Sequence, residues 1–239
     1  MTQKKYALVT GSAKRLGKDL ALKLTEQNFT VLFHYFSSQK EIDELKEFFK
    51  TIQKPFHAFK ADVKDKTQIK EMAKWIEINF GSLDLLVNNV GNYHLADISN
   101  FTVEDWDDII QSNLNGAYYC IHYLLELIKK KQGNIINIGY ASADVVQANV
   151  NATAYSISKT GLLILTKSLA KSLGPNGVRV NMISPGHLEN SVDLPSNYKK
   201  VIPLQRPGTS KDILQALNYI LENDYITGIN LEVAGGYLL

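Results

Sequence analysis

Seven short apolar runs alternate with six longer amphipathic stretches along this chain, and that alternation leaves few folds open. The runs fall at 7–10, 30–35, 56–60, 83–88, 134–138, 178–183 and 229–233. Helical patterns lie between them at about 15–28, 39–52, 66–79, 103–131, 153–173 and 211–222. Several runs are apolar at consecutive positions, as expected when helices cover both faces of a parallel sheet. Right-handed crossovers then predict an α/β architecture: one open, doubly wound parallel sheet of about seven strands, with ligands meeting its carboxyl edge. With 239 residues, 45% hydrophobic and 21% charged, the chain can bury one sizeable core, so a single domain over 1–239 is expected. No repeat or linker divides it. The irregular stretch 185–208, with Pro195, Pro203 and Pro207, reads as a mobile substrate flap within that domain.

Composition removes several classes of function. A formal charge of +2 without a long basic block gives no reason to expect nucleic acid or an anionic membrane surface. The single cysteine, Cys120, excludes an internal disulfide framework and suits a reducing compartment. No apolar stretch reaches transmembrane length, and five residues precede the first strand, so a cytoplasmic location is expected. No metal site is expected.

Two local patterns carry chemistry. The first is Thr10-Gly11-Ser12-Ala13-Lys14-Arg15-Leu16-Gly17, directly after the first strand and opening a helix. Strand, glycine turn and helix N-terminus is an arrangement that holds a dinucleotide pyrophosphate, because Gly11 turns tightly and free helix N–H groups favour anions. The second is Tyr155-Ser156-Ile157-Ser158-Lys159. On a helix, Tyr155 and Lys159 leave the same face one turn apart, and the ammonium is expected to lower the phenol pKa toward the working range. Such a pair can move the proton of a substrate hydroxyl while a hydride moves at carbon.

Taken with Asp62-Val63 after the third strand, Asn88-Asn89-Val90-Gly91 after the fourth, Asn113 in the long helix, Pro185-Gly186 after the sixth strand and Gly235-Gly236 near the end, the chain resembles the short-chain dehydrogenase/reductase family over nearly its whole length. The resemblance implies a Rossmann-like domain and the following roles. Tyr155 is the general acid, Lys159 tunes it and binds the nicotinamide ribose, and Asn113 holds a water that links Lys159 to solvent. Asp62 faces the adenine and Val63 packs on its ring. Asn89, Val90 and Gly91 flank the adenosine side, while Pro185 and Gly186 border the nicotinamide. Gly11, Leu16 and Gly17 belong to the same cofactor site, and His187 to the substrate side. A serine at the end of the fifth strand usually polarises the substrate oxygen. Counting back from Tyr155 gives Ser142, whereas aligning the strand end gives Tyr140, and both stay open.

The nicotinamide cofactor expected is NADP(H). An acid at the end of the second strand would bind a ribose diol. This chain has His34-Tyr35-Phe36-Ser37-Ser38 there, with Lys14 and Arg15 placed for a 2′-phosphate and the serines adding donors. Arg15, the His34-Tyr35-x-x-Ser38 run and Tyr93 resemble the pteridine reductase branch, in which an aromatic ring stacks on a pterin. That branch usually carries an aspartate at the fifth-strand end, where this chain has Tyr140 or Ser142. A dihydropterin is therefore one expectation, and a 3-oxoacyl-thioester or general carbonyl reductase the alternative. A catalytically silent NADP(H)-binding sensor is a third reading, of another class. Trp106, Ile109, Ile110, Tyr118, Tyr119, Tyr123 and Leu127 give the long helix more apolar surface than one face requires, so a homotetramer or homodimer is expected.

Overall fold

A computed structural model describes residues 4–237 and Leu239. Seven strands form one parallel sheet: β1 (Lys5–Val9), β2 (Phe29–Tyr35), β3 (His57–Lys60), β4 (Leu85–Asn88), β5 (Asn134–Ile138), β6 (Arg179–Pro185) and β7 (Asn230–Val233). Their order across the sheet is β3-β2-β1-β4-β5-β6-β7. The α-helices are α1 (Arg15–Glu26), α2 (Gln39–Thr51), α3 (Lys66–Phe80), α4 (Val103–Ile110), α5 (Gly116–Lys129), α6 (Thr153–Leu173), α7 (Tyr198–Val201) and α8 (Ser210–Glu222).

Strand periodicity of two residues divides the core. Ala7, Val9, Val31, Phe33, Leu85 and Val87 join one cluster, which α1, α2 and α8 cover. Leu8, Leu32, Leu86 and Ile135 face the opposite cluster, under α3, α5 and α6. Each helix therefore buries one stripe while the strands bury both faces. Local signals set several boundaries. The Asp65 carboxylate caps α3 by accepting from the Thr67 and Gln68 N–H groups, and Gly81 ends that helix at φ 73°. Thr102 with Asp105 and Thr209 with Asp212 form capping boxes at α4 and α8. The chain runs outward from β1 to β3 and then returns to place β4 beside β1, so the crevice opens above their carboxyl ends.

Three regions differ from the sequence reading. The stretch 103–131 is interrupted by a π-helical turn, Gln111–Asn115, between α4 and α5. Apolar spacing cannot reveal one added residue per turn. The stretch 185–208 contains α7 and is pinned at both ends, Gly208 donating to the His187 carbonyl at 2.9 Å and Glu189 to that of Gly208 at 2.9 Å. Of the residues that suggested an interface, Ile109 and Leu127 are buried, Tyr119 and Tyr123 pack on the core, Trp106 and Ile110 are half-buried, and Tyr118 faces outward. Among the described residues no helix is long and apolar enough to cross a membrane.

Candidate active site

The glycine turn after β1 is braced from three directions. Gly11 takes φ +63° and donates its N–H to Nδ1 of His34 at 3.0 Å, while Ser12 N–H donates to the His34 carbonyl at 2.9 Å. From β4, the Asn89 amide Nδ2 donates to the Thr10 carbonyl at 3.0 Å, and its backbone N–H donates to Thr10 Oγ1 at 2.9 Å. A Cβ on Gly17 would stand 2.2 Å from the Gly11 carbonyl oxygen and 2.6 Å from Asn89 Nδ2, so only glycine lets α1 pass this close to the turn. Helix α1 begins at Arg15 with no side-chain cap, which leaves its first N–H groups unclaimed by side chains. Lys14 and Arg15 are exposed beside them.

Two expected cofactor contacts are corrected here. His34 is 1% exposed, beneath the turn rather than above it, and holds the Gly11 backbone instead of a ligand. Burial holds its imidazole down at about 4, so it is the neutral acceptor that the Gly11 N–H requires. Val63 turns inward, and a Cβ on Gly116 of α5 would lie 2.9 Å from the Val63 Cβ, so the valine packs on that helix and not on a ring. Asp62 stays at the rim, where its carboxylate accepts from the Lys64 N–H at 3.0 Å. At the end of β2, Tyr35 donates to Gln39 Oε1 at 2.9 Å, Ser37 is exposed, and Ser38 stands before α2 without a capping bond.

A cleft of about 970 Å³ runs from Arg15 and Leu16 past Gly91 to Tyr155, Pro185 and the flap. Helix α6 presents Tyr155 and Lys159 to it on adjacent turns. Lys159 is buried, donates to the Ile138 carbonyl at 2.8 Å and lies 5.8 Å from the Tyr155 ring centre. Its burial pulls the amine down to about 8. The Tyr155 phenol moves the other way, well above its ordinary value, because of burial, then the Asp193 charge and the neighbouring Tyr93 and Tyr140 phenols. Tyr155 carries its proton at neutral pH, the state a proton donor needs. Gly91 admits Lys159: a Cβ there would come within 3.1 Å of Nζ.

Asn113 lies in the π turn, fully buried. Its Oδ1 accepts from the Asn92 N–H at 2.7 Å, and its Nδ2 donates to the Asn92 carbonyl at 3.0 Å and Ser158 Oγ at 3.2 Å. This side chain clamps the loop after β4 to α6, so a water held by Asn113 would have to use its main chain.

At the end of β5 the strand ladder sets Tyr140 beside Tyr155. Strand pairing continues past β5, with Gly139 donating to Ile183 and Ala141 to Pro185, each at 2.8 Å, and this fixes Tyr140 opposite Tyr155. The two rings meet at 5.4 Å and 72°. Ser142 sits at φ 70° with its Oγ buried and unpartnered, while its N–H donates to Glu232 Oε1 on β7 at 2.6 Å. Ser142 also lines the cleft. Tyr93 packs edge-on against Tyr155 at 4.8 Å and 89°. Two residues that sequence spacing could not supply join it: Asp193 on the flap, with Oδ1 3.6 Å from His187 Nδ1, and Tyr237 after β7, whose ring lies 4.6 Å from that of His187. Both come from irregular stretches without periodicity. Gly186 closes the β6 end against β7, where a Cβ would stand 2.8 Å from the Ala234 Cα.

Residues 11–238 match the family model described as Enoyl-(Acyl carrier protein) reductase. The chain is 34% identical over 244 residues to the 3-oxoacyl-(acyl-carrier-protein) reductase FabG of Buchnera aphidicola subsp. Baizongia pistaciae, covering 98% of both. It is 32% identical over 245 residues to the enzyme of that name from Staphylococcus aureus strain Mu50, covering 99% of both. A blue fluorescent protein from a metagenomic library, solved in complex with NADPH, superposes with a TM-score of 0.90 at 25% identity over 98% of each chain. A dehydrogenase/reductase from Sinorhizobium meliloti 1021 gives a TM-score of 0.90 at 27% identity, covering 98% of this chain and 95% of that one.

Proposed function

This chain belongs to the short-chain dehydrogenase/reductase family, and from that premise we propose that it is an NADPH-dependent reductase of 3-oxoacyl thioesters with Tyr155 as proton donor. The observation that carries this reading is the Tyr155 phenol lining the cleft one helical turn from Lys159. NADPH, when bound, supplies the hydride. The glycine turn fits it: the space beside Gly17 that a Cβ would fill and the uncapped start of α1 suit a diphosphate, with Gly11, Leu16, Asn89, Val90 and Gly91 along its path. Arg15, with Lys14, Ser37 and Ser38, would hold a 2′-phosphate, and no carboxylate ends β2 to repel it. Lys159 supports Tyr155 from below, and Tyr140 stands where a hydroxyl polarises the substrate oxygen. The thioester takes precedence over a dihydropterin because the relatives are named for 3-oxoacyl groups and Tyr93 is engaged edge-on with Tyr155. The outward Tyr118, Ile157 and Ile164 on α5 and α6 support a dimer or tetramer, which light scattering would check.

The test follows NADPH absorbance with acetoacetyl thioester, dihydropterin and quinone substrates. Consumption is expected with the thioester, and Tyr155→Phe is expected to lower kcat by about 10²- to 10⁴-fold while NADPH still binds. Turnover that survives in the phenylalanine variant removes Tyr155 from its role. Consumption with the dihydropterin alone reverses the substrate order, and none with any substrate leaves a nucleotide sensor.

A further inference from the structure

One carboxylate gathers the substrate side of the cleft. Asp193 lies with its Oδ1 3.6 Å from Nδ1 of His187. It lines the same cleft as Tyr93, Tyr155 and Tyr237. The turn that carries it is fixed by its own bonds: Leu188 N–H donates to Ser191 Oγ at 3.0 Å and Ser191 N–H to the Leu188 carbonyl at 2.9 Å. Among the described residues, the lysine and arginine side chains lining the cleft are Arg15, in the glycine turn, and Lys159, which donates to the Ile138 carbonyl; the other acid, Glu189, is exposed.

We propose that Asp193 is a specificity-determining residue: it admits a 3-oxoacyl group masked as a neutral thioester and turns away the same group as a free carboxylate. The inference rests on the carbonyl-reductase reading above. A keto oxygen that receives the Tyr155 proton places the acyl carbon only two bonds from the keto carbon. In a free 3-oxo acid the two oxygens on that acyl carbon share a full negative charge, inside the cleft that Tyr155 and Asp193 both line. Like charges in a half-buried cleft repel strongly, whereas a thioester brings no charge there.

The experiment compares kcat/KM with NADPH for acetoacetyl-N-acetylcysteamine, acetoacetate and 4-amino-2-butanone in wild type, Asp193→Asn and Asp193→Glu. Asp193→Asn is expected to lower the thioester-to-acetoacetate ratio by roughly tenfold or more and to shift the amino ketone the opposite way. Asp193→Glu retains the wild-type order, which separates charge from a disturbed flap. A ratio equal in wild type and Asp193→Asn overturns the proposal. If no variant consumes NADPH with any of the three, carbonyl reduction itself has failed. Calorimetric binding of acetoacetate and 4-amino-2-butanone to the NADPH-loaded protein then decides, and affinities unchanged by Asp193→Asn reject the role of Asp193.

Discussion

On the β1–β2 side of the crevice, polar side chains direct their hydrogen bonds at backbone: His34 to Gly11, and Asn89 to Thr10. On the β5–β6 side they turn toward one another across a cavity, as Tyr93, Tyr140 and Asp193 do around Tyr155. The first side is a rigid mould in which the ligand-facing groups are main-chain N–H donors and the side chains serve as scaffolding. The second is a set of converging side chains from distant segments, whose positions depend on the flap. A mould tolerates little change in shape and much in surface chemistry, and the converging set does the reverse.

Crowding the mould should have the largest effect. Gly17→Ala places a Cβ against the Gly11 carbonyl and Asn89. We expect kcat/KM to fall by about 100-fold and thermal unfolding to lose about 1–3 kcal/mol. Unchanged NADPH titration and melting would break the contrast between the two sides. Acidification probes the same scaffold. The His34 imidazole titrates at about 4 in the folded protein and near 6.5 when unfolded, so below 6.5 the unfolded chain takes up the proton first. The stability from keeping His34 neutral is complete above that value and is lost as pH falls toward 4, by up to about 3 kcal/mol. Melting curves against pH should show this loss in wild type and a flatter profile in His34→Asn.

Arg15→Ala should raise the Kd for NADPH by about 10- to 100-fold and change that for NADH far less. Equal changes would remove the phosphate role assigned to Arg15. The smallest effects sharpen the opposite side: Tyr140→Phe is expected to lower kcat by about tenfold, and Ser142→Ala to stay within about twofold. Steady-state kinetics showing the reverse order would return the oxygen-polarising role to Ser142.

The mould was largely legible in the sequence because its parts are contiguous: a strand, a turn with Gly11 and Gly17, and a helix. What misled there was the direction of side chains. His34 stands near the end of β2 and Val63 in the turn after β3, but position along the chain does not say whether a side chain points above the sheet edge or beneath it. On the far side, Tyr155 and Lys159 were visible through helical spacing alone. The neighbouring hydroxyl was not, because counting back to Ser142 crosses a loop, whereas Tyr140 is fixed by the ladder to β6. Asp193 and Tyr237 had no local signal at all, since only tertiary packing brings them to the cleft.

The tie between Ser142 and Glu232, together with the seat of Tyr237 on His187, bears on how this molecule is made. Both fasteners belong to the segment that leaves the ribosome after the rest of the sheet. Synthesis therefore completes the mould well before the reactive pocket is fastened, and a nascent chain acquires its grip before its chemistry.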